Sequence, residues 1–338
     1  MKTKLHQNML TKYHKNHITL KQASALAIVL GVGLVLTLLL QGFLSFASGA
    51  KGDERPTGNV KEKISKVVNP FDTISLVARA AYVQDLKTGE VLFAKNENER
   101  LPLASITKLM TTLVAREHMS GSVVVTLTKD DLKAEGDSGL RPGERWRLDD
   151  ILNAMLLISS NDAAHAVAGF VGADGHPEKF PDMALARTQF LQMMNEKALA
   201  LGLDQTQFFN ESGLDVSDTQ NGGYGSAKNV AMLFEELWGK YPEVIEVTAH
   251  RDARIYSQDN IAHILPNTNE IVGKIPGLVA SKTGYTELSG GNLAIIFDRG
   301  IGDPVIIVVL GSGYKERFDD VQKLVVATME REFKLAKN

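Results

Sequence analysis

The chain has 338 residues, 44% of them hydrophobic and 23% charged, with 37 basic and 40 acidic side chains and no cysteine. That length can bury a sizeable core in one large domain or two small ones. Without cysteine there is no disulfide scaffold, zinc–thiolate site or thiol catalysis, so a nucleophile must be a hydroxyl, an amine or a carboxylate, and a net charge of −3 argues against nucleic acid as a partner, which needs a basic excess.

The charge is unevenly spread. Up to Ala50 the charged residues are Lys2, Lys4, Lys12, Lys15 and Lys21; these are 5 of the 37 basic residues, so the remainder carries 32 against 40 acidic ones, a balance of −8. Between tail and body, Gln22 to Ala50 is free of charge, with a nearly unbroken apolar run from Ala25 to Leu40. A bilayer core needs about 20 mostly apolar residues, and the reading is a cytoplasmic basic tail (1–22) and a transmembrane anchor (23–47). Lysines before it and Asp53 and Glu54 after it place the body on the extracytoplasmic side of the membrane. A cleaved signal peptide is the rival reading, because Ser45-Phe-Ala47 and Ser48-Gly-Ala50 offer small residues, but the run exceeds the about 7–15 residues of a signal core. Residues 48–76, charged and punctuated by Pro and Gly, read as a linker, and 77–335 as the functional body.

In the body, Ala80–Gln84 and Glu90–Ala94 read as strands around a Gly-containing turn. Apolar spacing predicts helices over Ser105–Met119, Leu148–Val171, Ala184–Leu201 and Ala227–Trp238. Strand-like runs return at Leu278–Lys282, Asn292–Phe297 and Pro304–Leu310, before a last helix over Asp319–Phe333. Strands at both ends with helices between them predict an α+β body whose ends meet in one sheet. Gly172–Pro181 reads as a loop. His118, His165, His176, His250 and His263 show no paired metal-ligand spacing, so no metal and no cofactor are expected.

Hydroxyl chemistry needs a base beside the serine, and a lysine three residues on shares its helix face. Ser-x-x-Lys occurs at Ser48–Lys51, Ser105–Lys108 and Ser312–Lys315, but only Ser105 opens a strongly periodic helix, where unpaired N–H groups also favour an anion. An ordinary N-cap would explain Ser105 equally well. Ser159-Ser-Asn161 interrupts an apolar helical pattern, either as a simple break or as a hydroxyl and an amide offered to a substrate. Lys-Thr-Gly occurs twice. Lys87–Gly89 sits in the hairpin turn, where the turn alone accounts for it, and Lys282-Thr283-Gly284 lies on a strand edge, where Gly would let a substrate backbone approach.

In that order the three motifs are the signature of penicillin-recognising serine enzymes, and the chain resembles the serine-type D-Ala-D-Ala carboxypeptidases of the low-molecular-mass penicillin-binding proteins. Leu101–Thr112, Leu140-Arg-Pro-Gly-Glu144, Ser159–Ala164, Asn195–Leu203, Phe209–Asp215, Asn267-Thr-Asn269 and Lys282–Thr286 carry the resemblance, which covers about Val77 to Phe333. It implies a penicillin-binding protein/β-lactamase-like fold, an antiparallel sheet flanked by helices plus an all-helical subdomain. It also implies peptidoglycan stem peptides as substrates, β-lactam antibiotics as covalent inhibitors, and roles for individual residues. Ser105 would be the nucleophile, Lys108 its base and Ser159 the proton shuttle. Asn161, Lys282, Thr283, Gly284 and Tyr285 would bind substrate, with the N–H groups of Ser105 and Tyr285 as oxyanion donors. Arg317 resembles an arginine that recognises the substrate's terminal carboxylate, across a loop of different length. The alternatives are a D,D-endopeptidase on cross-links, a β-lactamase using a glutamate such as Glu196, which the helical period places on a helix surface instead, and an inactive peptidoglycan-binding module.

Overall fold

The first strands, β1 (Ala80–Asp85) and β2 (Val91–Lys95), form a hairpin whose turn is held by Asp85 Oδ1, which accepts from the N–H groups of Lys87 and Thr88 at 2.8 and 2.9 Å. This computed structural model describes residues 69–335 apart from 137 and 181. Among the described residues no helix is long and apolar enough to cross a membrane, and the expected tail and anchor, 1–47, lie outside them. The body starts earlier than expected. Pro70–Thr73 forms a 3-10 turn, and Phe71 is buried and stacked on Phe93 with ring centroids 5.5 Å apart. An aromatic ring gains too much from burial to stay in a solvated tether, so the end of the expected linker belongs to the core.

After β3 (Leu101–Pro102) and a 3-10 turn at Ala104–Thr107, the chain enters α1 (Lys108–His118). A ribbon of β4 (Val124–Thr126) and β5 (Arg145–Arg147) leads to α2 (Leu148–Leu157) and α3 (Asn161–Gly172). The helix expected over Leu148–Val171 is therefore two helices. Ser159 sits at φ +61°, a left-handed conformation that ends the first, and the Ser160 hydroxyl caps the second by accepting from Ala163 N–H at 3.0 Å. Periodicity runs through the break because both helices present Leu152, Met155, Ala164 and Val167 to the same core.

α4 (Met183–Ala200) starts at the Asp182 cap and is followed by β6 (Gln207–Phe208) and β7 (Gly223–Gly225), which pairs with both β6 and β3. Next come α5 (Ala227–Lys240), capped by Ser226, and the short α6 (Pro242–Ile245). The subdomain expected to be all-helical also carries short antiparallel ribbons: β4–β5, and the hairpin of β8 (Asp252–Tyr256) and β9 (Ala262–Pro266).

The chain then returns through β10 (Leu278–Thr286), β11 (Gly290–Asp298) and β12 (Pro304–Ser312) to α7 (Glu316–Leu335). The sheet order is β10-β11-β12-β1-β2, with every neighbour antiparallel and Ala80 opposite Leu310. The two ends of the body do meet in one sheet. Successive side chains point to opposite faces. Leu293, Ile295, Phe297, Val305, Ile307 and Val309 meet α7, while Ala294, Ile296, Ile306, Val308 and Leu310 meet the helical layer of α1 and α5. β10 is an edge strand, and its outer margin faces the Ala104–Thr107 turn.

Candidate active site

Ser105 lies in the 3-10 turn ahead of α1 and is half-buried, with Lys108 one turn on and fully buried. Lys108 Nζ is 2.9 Å from Ser105 Oγ, 2.7 Å from Asn161 Oδ1 and 2.8 Å from the Ser212 carbonyl oxygen. The Asn161 amide is oriented by its own Nδ2, which donates to the Glu135 carbonyl at 2.7 Å; its oxygen is thereby left to face the lysine. Burial pushes the Lys108 ammonium down to about 7, against the opposing pull of the Glu211 carboxylate. A neutral amine has two N–H donors and one lone pair. Asn161 Oδ1 and the Ser212 carbonyl can only accept, so they take the two donors, and the lone pair is left for the hydroxyl proton of Ser105.

The second serine meets the second lysine. Lys282 Nζ donates to Ser159 Oγ at 2.9 Å and to the Thr283 carbonyl at 2.8 Å. Burial and the positive charges of Lys108 and Arg317 push Lys282 well below the ordinary lysine range. The left-handed φ of Ser159 aims its side chain off the end of α2, and such strain persists only where surrounding contacts enforce it. Thr283 is buried, its hydroxyl 2.6 Å from that of Thr268.

The outer margin of β10 is closed at one end by Thr248, whose Oγ1 accepts from Ser281 N–H at 2.9 Å. Pairing with β11 is regular from Ala280 to Thr286. The two-residue period therefore turns the N–H groups of Thr283 and Tyr285 toward that same margin, beside the Ser105 turn. Gly284 has a further requirement. A Cβ there would lie 2.8 Å from the Leu103 carbonyl oxygen and 3.2 Å from Ser105 N, so the absent side chain admits the Ser105 turn. Gly213, at φ +82°, does the same from the other side, where a Cβ would sit 1.9 Å from the Ala104 carbonyl oxygen.

Arg317 is brought to the same strand from behind. Its NH1 donates to the Gly284 carbonyl at 2.9 Å, and its guanidinium stacks on Tyr314 and Phe318. It is buried, and through this hydrogen bond it reaches the strand that carries the site. The other motif copies do not assemble a site. Ser312 Oγ donates to Asp320 at 2.8 Å while Lys315 pairs with Glu270; Lys87–Gly89 stays in the hairpin turn, and Ser48 lies outside the described residues. Glu196 is on the exposed face of α4, bonded to Gln192 at 2.7 Å.

A family model for D-alanyl-D-alanine carboxypeptidase, peptidase family S11, matches residues 66–313. The chain belongs to this family. The D-alanyl-D-alanine carboxypeptidase DacF of Bacillus subtilis is 32% identical over 254 residues, 73% of this chain and 61% of DacF. A D-alanyl-D-alanine endopeptidase of Haemophilus influenzae is 28% identical over 224 residues, 65% of this chain and 70% of its own length. Penicillin-binding protein D2 of Listeria monocytogenes, solved in its ampicillin-bound form, matches with a TM-score of 0.63 at 30% identity, covering 75% of this chain and 98% of that one. The expected penicillin-binding fold is thus the observed one. The chain spans 61–66% of the length of the first curated relatives it matches.

Several residues that build this carboxypeptidase-family site carry no motif in the sequence. Asn292 Nδ2 donates to the Pro102 and Leu103 carbonyls at 3.0 Å each, while its Oδ1 accepts from Gly311 N–H at 2.8 Å. Asn221 Oδ1 accepts from Ala104 N–H at 3.3 Å and its Nδ2 reaches Thr286 Oγ1 at 3.2 Å. Both are fully buried. An asparagine heading the apolar run Asn292–Phe297 was the available signal, since a buried amide is costly unless it is bonded. The Ser212 carbonyl carried no side-chain signal at all.

Proposed function

We propose that this chain is a serine-type D-alanyl-D-alanine carboxypeptidase acting on peptidoglycan stem peptides through an acyl-enzyme on Ser105. The observation that carries the reading is the lone pair of Lys108 directed at Ser105 Oγ, with both N–H groups of the amine held elsewhere. Ser105 Oγ attacks the carbonyl of the penultimate D-alanine as its proton passes to Lys108. The N–H groups of Ser105 and Tyr285 take up the oxyanion, where one donor is typically worth about 2.7–4 kcal/mol. The C–N bond to the terminal D-alanine then breaks, and its nitrogen takes the proton from Lys108, relayed through the Ser159 hydroxyl that Lys282 holds in place. Water attacks the ester, frees the shortened peptide and returns the proton to Ser105. Asn161, Thr283 and the β10 margin hold the peptide, and Arg317 braces that margin through Gly284.

β-Lactam antibiotics present a strained amide to the same hydroxyl and are the expected covalent inhibitors, a reading supported by the ampicillin complex of the Listeria relative. The apolar run from Ala25 to Leu40, with lysines before it and Asp53 and Glu54 after it, supports a single-pass anchor at 23–47 with the enzyme on the extracytoplasmic face of the bacterial plasma membrane; a variant starting at residue 51 should leave the membrane fraction.

Incubation with a defined pentapeptide and with cross-linked dimers tests the activity. Release of free D-alanine from the pentapeptide, with the dimers uncut and both activity and fluorescent-penicillin labelling lost in Ser105→Ala, is the expected outcome. Cleavage of the dimers alone would mean an endopeptidase, and rapid turnover of the penicillin a β-lactamase.

A further inference from the structure

The acylation scheme leaves unused an acid–base pair lying against Lys108. Glu211 Oε1 is 2.7 Å from His165 Nδ1, and both side chains are largely buried. Glu211 immediately precedes Ser212, whose carbonyl accepts from Lys108 Nζ, and its own carbonyl accepts from Thr111 Oγ1 of α1 at 2.6 Å. His165 stands one helical turn after Asn161, the other acceptor of the lysine, on the same face of α3. The His165–Glu211 contact therefore ties together the two segments that occupy the N–H groups of Lys108.

We infer that Glu211 and His165 are a positioning pair for Lys108: their contact holds the two acceptors of the amine in register. This rests on Lys108 being the base proposed above. The Glu211 carboxylate favours the ammonium form of Lys108. Burial would push that carboxyl up, but the hydrogen bond and charge of His165, with Arg187 of α4, hold it below its usual range, so it is ionised. The surrounding charges are few. Arg187 also faces Asp130 and Asp131 at 3.4 and 3.9 Å, Asp130 lies within reach of His165, and Lys282 shares the site with Lys108 from the β10 side, with Arg317 behind it.

The test is the rate of covalent penicillin acylation of the full chain between pH 5 and 9. Wild type should lose rate as pH falls through about 7, the value at which Lys108 takes its proton. Glu211→Gln removes the charge and keeps the shape; the midpoint of that limb should fall by about half a unit or more, some threefold in relative rate on the acid side. His165→Ala breaks the tie between the two segments, and its acylation rate should fall severalfold with Glu211 still in place. Rates lowered equally at every pH, with the Glu211→Gln midpoint unmoved, would reduce the pair to scaffolding and overturn the proposal; a His165→Ala rate equal to wild type would overturn the role given to the imidazole. Direct titration of the Lys108 13Cε resonance, assigned through Lys108→Arg, reads the same shifts without substrate. A shift there with no acylation would sink the functional reading and leave the pair standing. Absence of the shift in Glu211→Gln would sink the pair whatever the enzyme turns over.

Discussion

On one side of the central sheet, Leu293, Ile295, Phe297, Val305, Ile307 and Val309 pack against Phe318, Val321, Leu324 and Val325 of α7. On the other, the alternate residues of the same strands share their core with two fully buried lysines, Lys108 and Lys282. Asp320, buried on the α7 side, is fully used: it accepts from Val77 N–H, Ala78 N–H and Ser312 Oγ at 2.8–3.1 Å. The lysines are hydrogen-bonded too, yet each is held below its ordinary proton affinity by burial. One face gains from nearly every group it encloses, and the other encloses groups that cost stability and supply chemistry. The difference teaches that a mainly apolar, hydrogen-bonded core behind the sheet offsets a front that encloses two costly buried lysines.

Replacing Lys108 with Met should break that contrast most sharply. Acylation should fall by about 10²–10⁴, the usual contribution of a positioned base. Stability near pH 7 should change by no more than about 2 kcal/mol, because loss of a costly buried amine offsets two abandoned acceptors at about 1–3 kcal/mol each. The sign with pH is informative. Lys108 binds its proton more weakly folded, at about 7, than at its ordinary 10.5, so the unfolded chain holds more protons between those values and wild-type stability should rise with pH across that window. Lys108→Met should flatten the rise, as chemical denaturation at pH 7, 8.5 and 10 would reveal; an unchanged slope would mean the amine is not the depressed group.

Phe297→Ala tests the opposite face. It should destabilise by about 3–5 kcal/mol while leaving the acylation rate, measured well below the melting transition, close to wild type. A large kinetic defect at full occupancy of the folded state would show that the two cores are coupled.

Gly284→Ala sharpens the comparison at the seam between strand and nucleophile. A methyl group 2.8 Å from the Leu103 carbonyl must displace the turn by a few tenths of an ångström, and roughly tenfold slower acylation with a stability loss of about 1–2 kcal/mol is expected. Unchanged acylation would place the turn's tolerance above that displacement.

What was legible in the sequence followed the same division. Ser105 and Lys108 were readable because one helical turn holds them together. The dry face was readable as β-branched runs, and the sheet that unites both ends of the body followed from strands at either end. The rest depended on long-range approach. Lys108 finds its other acceptors at Asn161 and at the backbone of Ser212, and no local pattern marks a carbonyl as a ligand. The break at Ser159 was hidden because the helices on either side feed one core. The close approach of the Ser105 turn to Gly284 was not legible, because a strand edge does not say which distant segment packs on it. Arg317 was legible as a residue type and not by orientation, since stacking on Tyr314 and Phe318 turns it onto the strand.

Pairing Ala80 with Leu310 also fixes when the site can exist. β1 emerges early and has no lasting partner on its β12 side until nearly all of the body has followed, a topology that folds slowly because its contacts are distant in sequence. The Ser105 turn waits likewise for Asn292 and Gly284. A chain interrupted before β11 therefore holds a complete Ser-x-x-Lys motif without an assembled nucleophile, and reactivity toward penicillin should report completion of the whole body during biogenesis.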